Sequence, residues 1–192
     1  MPSGPLLKFT AKNAQEVCAR FELSEEAQAL VRSGQTPPQC LDALVDKQLF
    51  PDAIRFLAHG LPKREAVWWA CFCAKTAAGA SLPAAEAAAI QRAERWVADP
   101  SEENRRAAMP AAEAAKLGTP AGCAALAAFL SGGSMGPANV AAIPPAETLS
   151  GTAVAGAVMI AVVVKEPQKA VEKYRTFLGR GIEIANGKNL WK

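Results

Sequence analysis

Apolar residues recur at intervals of three and four through the first two thirds of this chain, and short breaks with proline or small polar residues separate the runs. This spacing puts apolar side chains on one face of a helix. Several runs begin at a proline, which fits the first turn of a helix because its missing N–H would have no partner there. The pattern therefore predicts eight short helices between residues 13 and 131, which start near Asn13, Ser24, Thr36, Phe50, Leu61, Leu82, Asp99 and Thr119.

The last third of the chain has a different composition. Residues 132–150 are rich in glycine, proline and small polar residues, which predicts a linker or a long loop. Residues 151–164, GTAVAGAVMIAVVV, carry no charge. Their β-branched residues favour a strand, but the length of the run favours a helix, and we expect a helix. An amphipathic helix follows, and the turn dipeptide Asn186-Gly187 predicts a hairpin or an ordered tail at the end.

These elements predict an all-α fold, either an irregular multi-helix bundle or a short solenoid-like stack of about ten short helices. The expected organisation is a helical core domain at residues 10–131, the linker or loop at 132–150, a C-terminal helical pair at 151–187 that packs on the core, and a tail at 188–192. The uncharged run is shorter than the roughly 20 residues that cross a membrane. We therefore expect that it is buried in protein and that the chain has no membrane span.

Composition narrows the class of protein. The 192 residues are 51% hydrophobic and 20% charged, with a formal net charge of +3 and no run of basic residues. A nucleic-acid-binding domain usually has a strongly basic face, so nucleic acid is not expected as a partner. The five cysteines are an odd number without the spacing of a secreted disulfide framework, and no signal peptide is visible at the N-terminus. We expect a reduced, cytoplasmic protein.

Residues 62–75, PKREAVWWACFCAK, hold the most unusual local pattern. No polar residue occurs from Ala66 to Ala74, and a helix that is apolar on all sides is usually buried. This predicts the central helix of the core. The alternative is a ligand pocket beside this helix, and its candidate residues are His59, Trp68, Trp69 and Cys71.

Catalytic and metal chemistry find little support in these residues. Cys71 and Cys73 are two positions apart, so on a helix their side chains point in nearly opposite directions, and the chain has a single histidine to join them. His59 sits where a cation stabilises a helix C-terminus, which is a simpler role than activating a thiol. We predict no catalytic residue, no metal and no cofactor.

Two features point to a protein partner. Lys63 and Arg64 stand at a helix start, where positive charge opposes the helix dipole. Asp52, Glu65 or an outside anion is expected to compensate them, and the two hypotheses are a local salt bridge and an acidic surface of a partner. Trp191, near the end of the chain, is an apolar anchor that either docks on another protein or folds back onto its own core.

Residues 49–75, LFPDAIRFLAHGLPKREAVWWACFCAK, resemble the core signature of an uncharacterised bacterial family, a domain of unknown function with a Leu-Pro-Lys-Arg-Glu-Ala-Val-Trp-Trp-Ala-Cys motif. Here the motif runs from Leu61 to Cys71, and the resemblance is specific in the first half of the chain. Such proteins are associated with gene neighbourhoods of bacterial secretion machines, notably type VI. The resemblance implies an accessory role and carries over no catalytic residue.

The expected function is therefore non-catalytic protein binding, as an adaptor or accessory protein of a bacterial secretion system. The alternative is a small-ligand-binding protein or an enzyme that uses the pocket near His59, Trp68, Trp69 and Cys71. A filled interior at these residues favours the first function, and an open, polar-lined cavity favours the second.

Overall fold

The computed structural model describes residues 3–137 and 139–188. These residues form ten α-helices, one short 3₁₀ turn and no strand, which confirms the predicted all-α class. The helices are α1 (Ala14–Cys18), α2 (Glu25–Gln28), α3 (Pro37–Asp46), α4 (Phe50–Gly60), α5 (Lys63–Ala78), α6 (Ala84–Ala98), α7 (Glu102–Ala114), α8 (Pro120–Phe129), α9 (Leu149–Val163) and α10 (Ala170–Ala185), with the 3₁₀ turn at Pro167–Lys169.

Side-chain caps fix several helix starts where the sequence predicts them. The side chains of Asn13, Ser24 and Thr119 each accept a hydrogen bond from the backbone N–H three residues later. Thr36 forms a full capping box with Gln39, in which each side chain bonds the other residue's N–H. These bonds satisfy amides that the first turn of a helix leaves without a carbonyl partner.

The start of α7 differs from the prediction. Ser101, not Asp99, is its N-cap, and the Ser101 hydroxyl accepts from the N–H of Asn104. Asp99 instead ends α6 in an extended conformation, and its carbonyl and carboxylate accept from the Asn104 side-chain amide. Asp99 therefore ends α6, and the cap of α7 lies two residues later than predicted.

The arrangement is an irregular bundle built around α5, α8 and α9. Helix α9 lies against α4, α5 and α8, and α6 and α7 also pack on α8. A solenoid would bring each helix against its sequence neighbours alone. Here α9 reaches helices that precede it by about 20 to 100 residues.

Helix α9 is the uncharged run that sequence reasoning expected to be buried. Val154, Ala157, Val158 and Ala161 are fully buried, and the Ser150 hydroxyl donates to the carbonyl of Ala127 at 2.9 Å. Within the described residues, no single helix is both long and apolar enough to cross a membrane, although α9 and the helical segment from Pro167 to Ala185 reach that length and composition together across a 113° bend.

The Asn186-Gly187 dipeptide forms a turn, as the sequence predicts, and most of the expected tail lies outside the described residues. Helix α10 runs to Ala185, and Asn186 follows as its C-cap. The Asn186 side chain accepts from the N–H of Leu6 at 2.9 Å and donates to the carbonyl of Ser3 at 2.7 Å. The N-terminal segment is thereby fastened to the end of the last helix.

Candidate functional site

The tryptophan helix, α5, is filled on its inner side. Trp69 is fully buried, and its indole Nε1 donates to the carbonyl of Phe177 in α10 at 2.8 Å. Cys71 and Cys73 are also fully buried, and burial raises the pKa of both thiols far above the ordinary value. A protonated, enclosed thiol is neither a nucleophile nor a metal ligand. These three residues serve as packing.

Trp68 lies on the outer side of the same helix and is half-buried. Its ring stacks near that of Phe72, with centroids 6.2 Å apart, and the guanidinium of Arg180 lies 4.6 Å above the Phe72 ring. The two adjacent tryptophans thus face different surroundings, one inside the bundle and one at its surface.

His59 is the predicted pocket residue that borders open space. It lines two grooves on either side of the contact between α4 and α9. The larger, of about 920 Å³, runs between α2 and α9 and is named the α2–α9 groove. The smaller, of about 550 Å³, lies where α5 and α9 begin and is named the α5–α9 groove.

The His59 imidazole is buried but makes no hydrogen bond to a described residue. The residue is 6% exposed, and its ring stacks on Phe21 with centroids 5.3 Å apart. Burial, and next the positive charge of Arg20, lower its pKa to about 4. His59 is therefore a neutral imidazole at neutral pH, and it is not paired with a thiol among the described residues.

A buried carboxylate orders the wall of the α2–α9 groove. Asp52, 3% exposed, accepts from both the N–H and the hydroxyl of Ser24, at 3.1 and 2.8 Å, and pairs with Arg55 at 3.4 Å. These contacts fix the start of α2 against α4. Asp52 is therefore a structural residue and is not the compensating charge that sequence analysis considered for Lys63 and Arg64.

Lys63 and Arg64 find partners that are distant in sequence. The Lys63 ammonium pairs with Glu147 at 3.0 Å, just before α9. The Arg64 guanidinium donates to the carbonyls of Val97 and Ala98, the latter at 3.1 Å, at the C-terminus of α6, where the helix dipole favours a cation. Glu65, the other expected partner, pairs with Lys8 at 3.2 Å.

The loop between α8 and α9 presents an apolar surface that sequence reasoning did not identify. Met135, Val140 and Ile143 are 40%, 50% and 53% exposed, and we name them the apolar tip. The N–H of Met135 donates to the carbonyl of Ile143 at 2.8 Å, so the two sides of the loop are bonded. In the sequence, the apolar tip shows only as three isolated apolar residues within a glycine- and proline-rich segment.

Buried Arg105 holds this loop in place. The residue is 3% exposed, and its guanidinium donates to the carbonyls of Phe129 and Ser134 at 2.5 and 2.8 Å. It also pairs with Glu102 at 2.6 Å, and Arg106 donates to the carbonyl of Gly136 at 3.0 Å. The two arginines lower the pKa of Glu102 to about 2. The loop is therefore anchored through its backbone, which leaves the apolar tip free to project.

Trp191, the third predicted partner-binding residue, lies outside the described residues.

The chain belongs to a family of unknown function, DUF6931, whose model matches residues 40–185, from α3 to the end of α10. No curated protein and no solved structure matches the chain. Lys63, Glu147 and the apolar tip fall within the family match, while α1 and α2 precede it.

Proposed function

We propose that this member of the DUF6931 family is a non-catalytic accessory protein that binds another protein through the apolar tip. The observation that supports the proposal most directly is a set of three exposed apolar side chains on a loop whose backbone is bonded to a buried arginine. The enclosed thiols and tryptophan of α5 favour packing over catalysis at the alternative site.

The anchoring of the loop makes it suited to binding. Exposed apolar side chains gain free energy when a partner removes them from water, at roughly 25 cal/mol per Å². A flexible loop would lose much of this gain, because its conformations must be restricted on binding. The bonds from Arg105 and Arg106 to loop carbonyls restrict the loop before the partner arrives.

The partner is proposed to be a component of a bacterial secretion machine, met in the cytoplasm. This part of the proposal is supported by the resemblance of residues 49–75 to proteins of type VI secretion gene neighbourhoods, and by five cysteines that are all free thiols. Lys63 and Arg64 are occupied by Glu147 and by carbonyls of α6, so their contact with an acidic partner remains a prediction of its own.

The test is affinity purification of the tagged protein after cross-linking in its native cells, followed by mass spectrometry. We expect the double variant Val140→Ser/Ile143→Ser to recover at least about tenfold less of the stoichiometric partner than the unchanged protein does. The reason is that each aliphatic side chain buried by the partner contributes about 1.5 kcal/mol or more. Val163→Ser/Val164→Ser is the matched control, because these residues are 49% and 52% exposed at the far end of α9.

Equal recovery of the partner by both double variants, with unchanged melting temperatures, would exclude the apolar tip as the binding surface. A Lys63→Glu variant tests separately whether the positive charge at the start of α5 contributes to binding the partner. If it alone loses the partner, the binding surface lies at the start of α5 and the partner is acidic there.

A further inference from the structure

Two long helices begin at the same groove without a side-chain cap. Helix α5, of 16 residues, follows Pro62, and helix α9, of 15 residues, follows Thr148, and neither preceding side chain bonds a first-turn amide. Pro62, Lys63, Thr148 and Gly151 all line the α5–α9 groove. The start of a helix carries partial positive charge and unpaired N–H groups, which attract anions. The groove thus receives two such ends.

Two basic side chains add to this positive field. Arg20 and Lys63 both line the groove. Arg20 uses one N–H to donate to the carbonyl of His59 at 2.6 Å, and its other N–H groups have no acceptor among the described residues. Lys63 pairs with Glu147, whose side chain is 87% exposed. Such a surface pair is weak, so a stronger anion can replace the Glu147 carboxylate.

The imidazole of His59 is a second and independent sign of a ligand. A polar side chain that is 94% buried normally has a hydrogen-bond partner, but this one has none among the described residues. No side-chain nitrogen or oxygen of the described residues is both sealed from solvent and unpaired, so the ring nitrogens of His59 reach the solvent of the grooves. Nδ1 faces Gly151, because a Cβ at that glycine would lie 2.6 Å from it.

We propose that the α5–α9 groove binds a phosphoryl group. Its oxygens would accept from the first-turn amides of α5, from the Ser150 and Gly151 amides of α9, from Arg20 and Lys63, and from the His59 N–H. The first amide of α9, that of Leu149, already donates to the carbonyl of Ala146 at 3.0 Å. Two helix starts and two cations favour a dianion over a singly charged carboxylate. The volume of about 550 Å³ exceeds that of free phosphate and suits a small phosphorylated molecule. This site does not depend on the apolar tip or on its partner.

His59 supplies a direct spectroscopic readout, because it is the single histidine of the chain. Arg20, Lys63 and Glu147 face it in the α5–α9 groove, and Glu22, Glu25 and Arg55 line the groove on its other side. A bound dianion favours the protonated imidazole, so its pKa rises from about 4 when the site is filled. The chemical shifts of the His59 ring and the pH dependence of these shifts therefore both report binding of the dianion.

The experiment is NMR of the His59 ring in the full chain at neutral pH and constant ionic strength, titrated with inorganic phosphate, glycerol 3-phosphate, acetate or chloride. We expect saturable shifts with the two phosphates and no saturation with chloride. Lys63→Gln should weaken phosphate binding about tenfold, as loss of a charge-assisted hydrogen bond does. Lys75→Gln, at the other end of α5 and paired with Glu94, is the matched control.

Each outcome decides the assignment. Tighter binding of glycerol 3-phosphate than of phosphate identifies an organic phosphate as the ligand, and equal affinities identify the free ion. Acetate that binds as tightly as phosphate overturns the phosphoryl assignment. Chemical shifts of the His59 ring that rise linearly with phosphate concentration, without saturation, overturn the site. A phosphate affinity that Lys63→Gln leaves unchanged also overturns it. The Val140→Ser/Ile143→Ser variant should keep the His59 shift, so failure of the docking proposal leaves this result intact.

Discussion

His59 gives the stability of this protein a pH dependence that can be assigned to one residue. In the folded chain its pKa is about 4, whereas a histidine in an unfolded chain titrates near 6.5. Between these values the unfolded state binds a proton that the folded state excludes. The free energy of unfolding therefore falls as the pH is lowered from 6.5 to 4, by about 3 kcal/mol in all. Urea unfolding at a series of pH values measures this slope.

Variants separate His59 from the acidic groups. His59→Gln should flatten the curve between pH 6.5 and 4, because glutamine does not titrate. The two arginines lower the pKa of Glu102 from 4.5 to about 2. The ionised Glu102 therefore stabilises the fold fully above about pH 4.5, and this contribution is lost as the pH falls from 4.5 through 2. Glu102→Gln should therefore alter the curve below about pH 4.5 and leave the histidine interval unchanged. An unaltered slope in His59→Gln would show that another group causes it.

The charges at the start of α5 show how far single residues can be predicted from sequence. Lys63 and Arg64 were expected to need compensation, because the dipole of a helix is a local property. The residues that provide it, Glu147 and the C-terminal carbonyls of α6, are brought near by tertiary packing. Local pattern indicates the need for a partner but does not identify one that lies 84 residues away.

Substitutions at two glycines of α10 test how closely this helix packs on the core. A Cβ at Gly181 would lie 2.9 Å from Cε2 of Trp69 and 3.1 Å from Cδ1 of Leu57, while a Cβ at Gly179 would meet nothing within 4 Å. Alanine in a helix is favoured over glycine by about 1 kcal/mol. We therefore expect Gly179→Ala to stabilise the protein by about that amount.

Gly181→Ala should have the opposite sign. Trp69 cannot shift easily, because its indole donates to the Phe177 carbonyl within the same contact. Overpacking of this kind costs about 1 to 3 kcal/mol, which exceeds the gain in helix propensity. Thermal unfolding of the two variants, side by side, measures both signs. If Gly181→Ala raises the melting temperature as Gly179→Ala does, α10 does not pack closely on Trp69.

Helix ends were predictable where one side chain determines them. Thr36 and Thr119 precede a proline and cap the helix that follows, and the sequence shows each device directly. Asp99 misled because it ends α6 in an extended conformation, while Ser101 caps α7. Asp99 and Ser101 are both good cap residues near the start of α7, so the local sequence alone does not decide between them. The dipeptide Asn186-Gly187 was correctly predicted as a turn, which follows directly after α10.

At the scale of the whole molecule, the buried residues of α3 to α10 belong to one hydrophobic core, in which α9 contacts α4, α5 and α8. The proposed division between residues 10–131 and 151–187 can therefore be tested by a change in α9. Val158 is fully buried, and aspartate there would place an unpaired charge among these helices at a cost of several kcal/mol. That is comparable with the total stability of a domain, about 5 to 15 kcal/mol.

We expect Val158→Asp to abolish the helical circular dichroism of the whole chain, because the helices before residue 131 lose the element that covers their apolar faces. Val163→Asp, at a position 49% exposed on the same helix, should leave the spectrum and the melting temperature nearly unchanged. A Val158→Asp protein that keeps most of its helical signal and still melts cooperatively would show that residues 10–131 fold alone. The loop at 132–150 would then join two domains, whereas a complete loss makes it a connection within one.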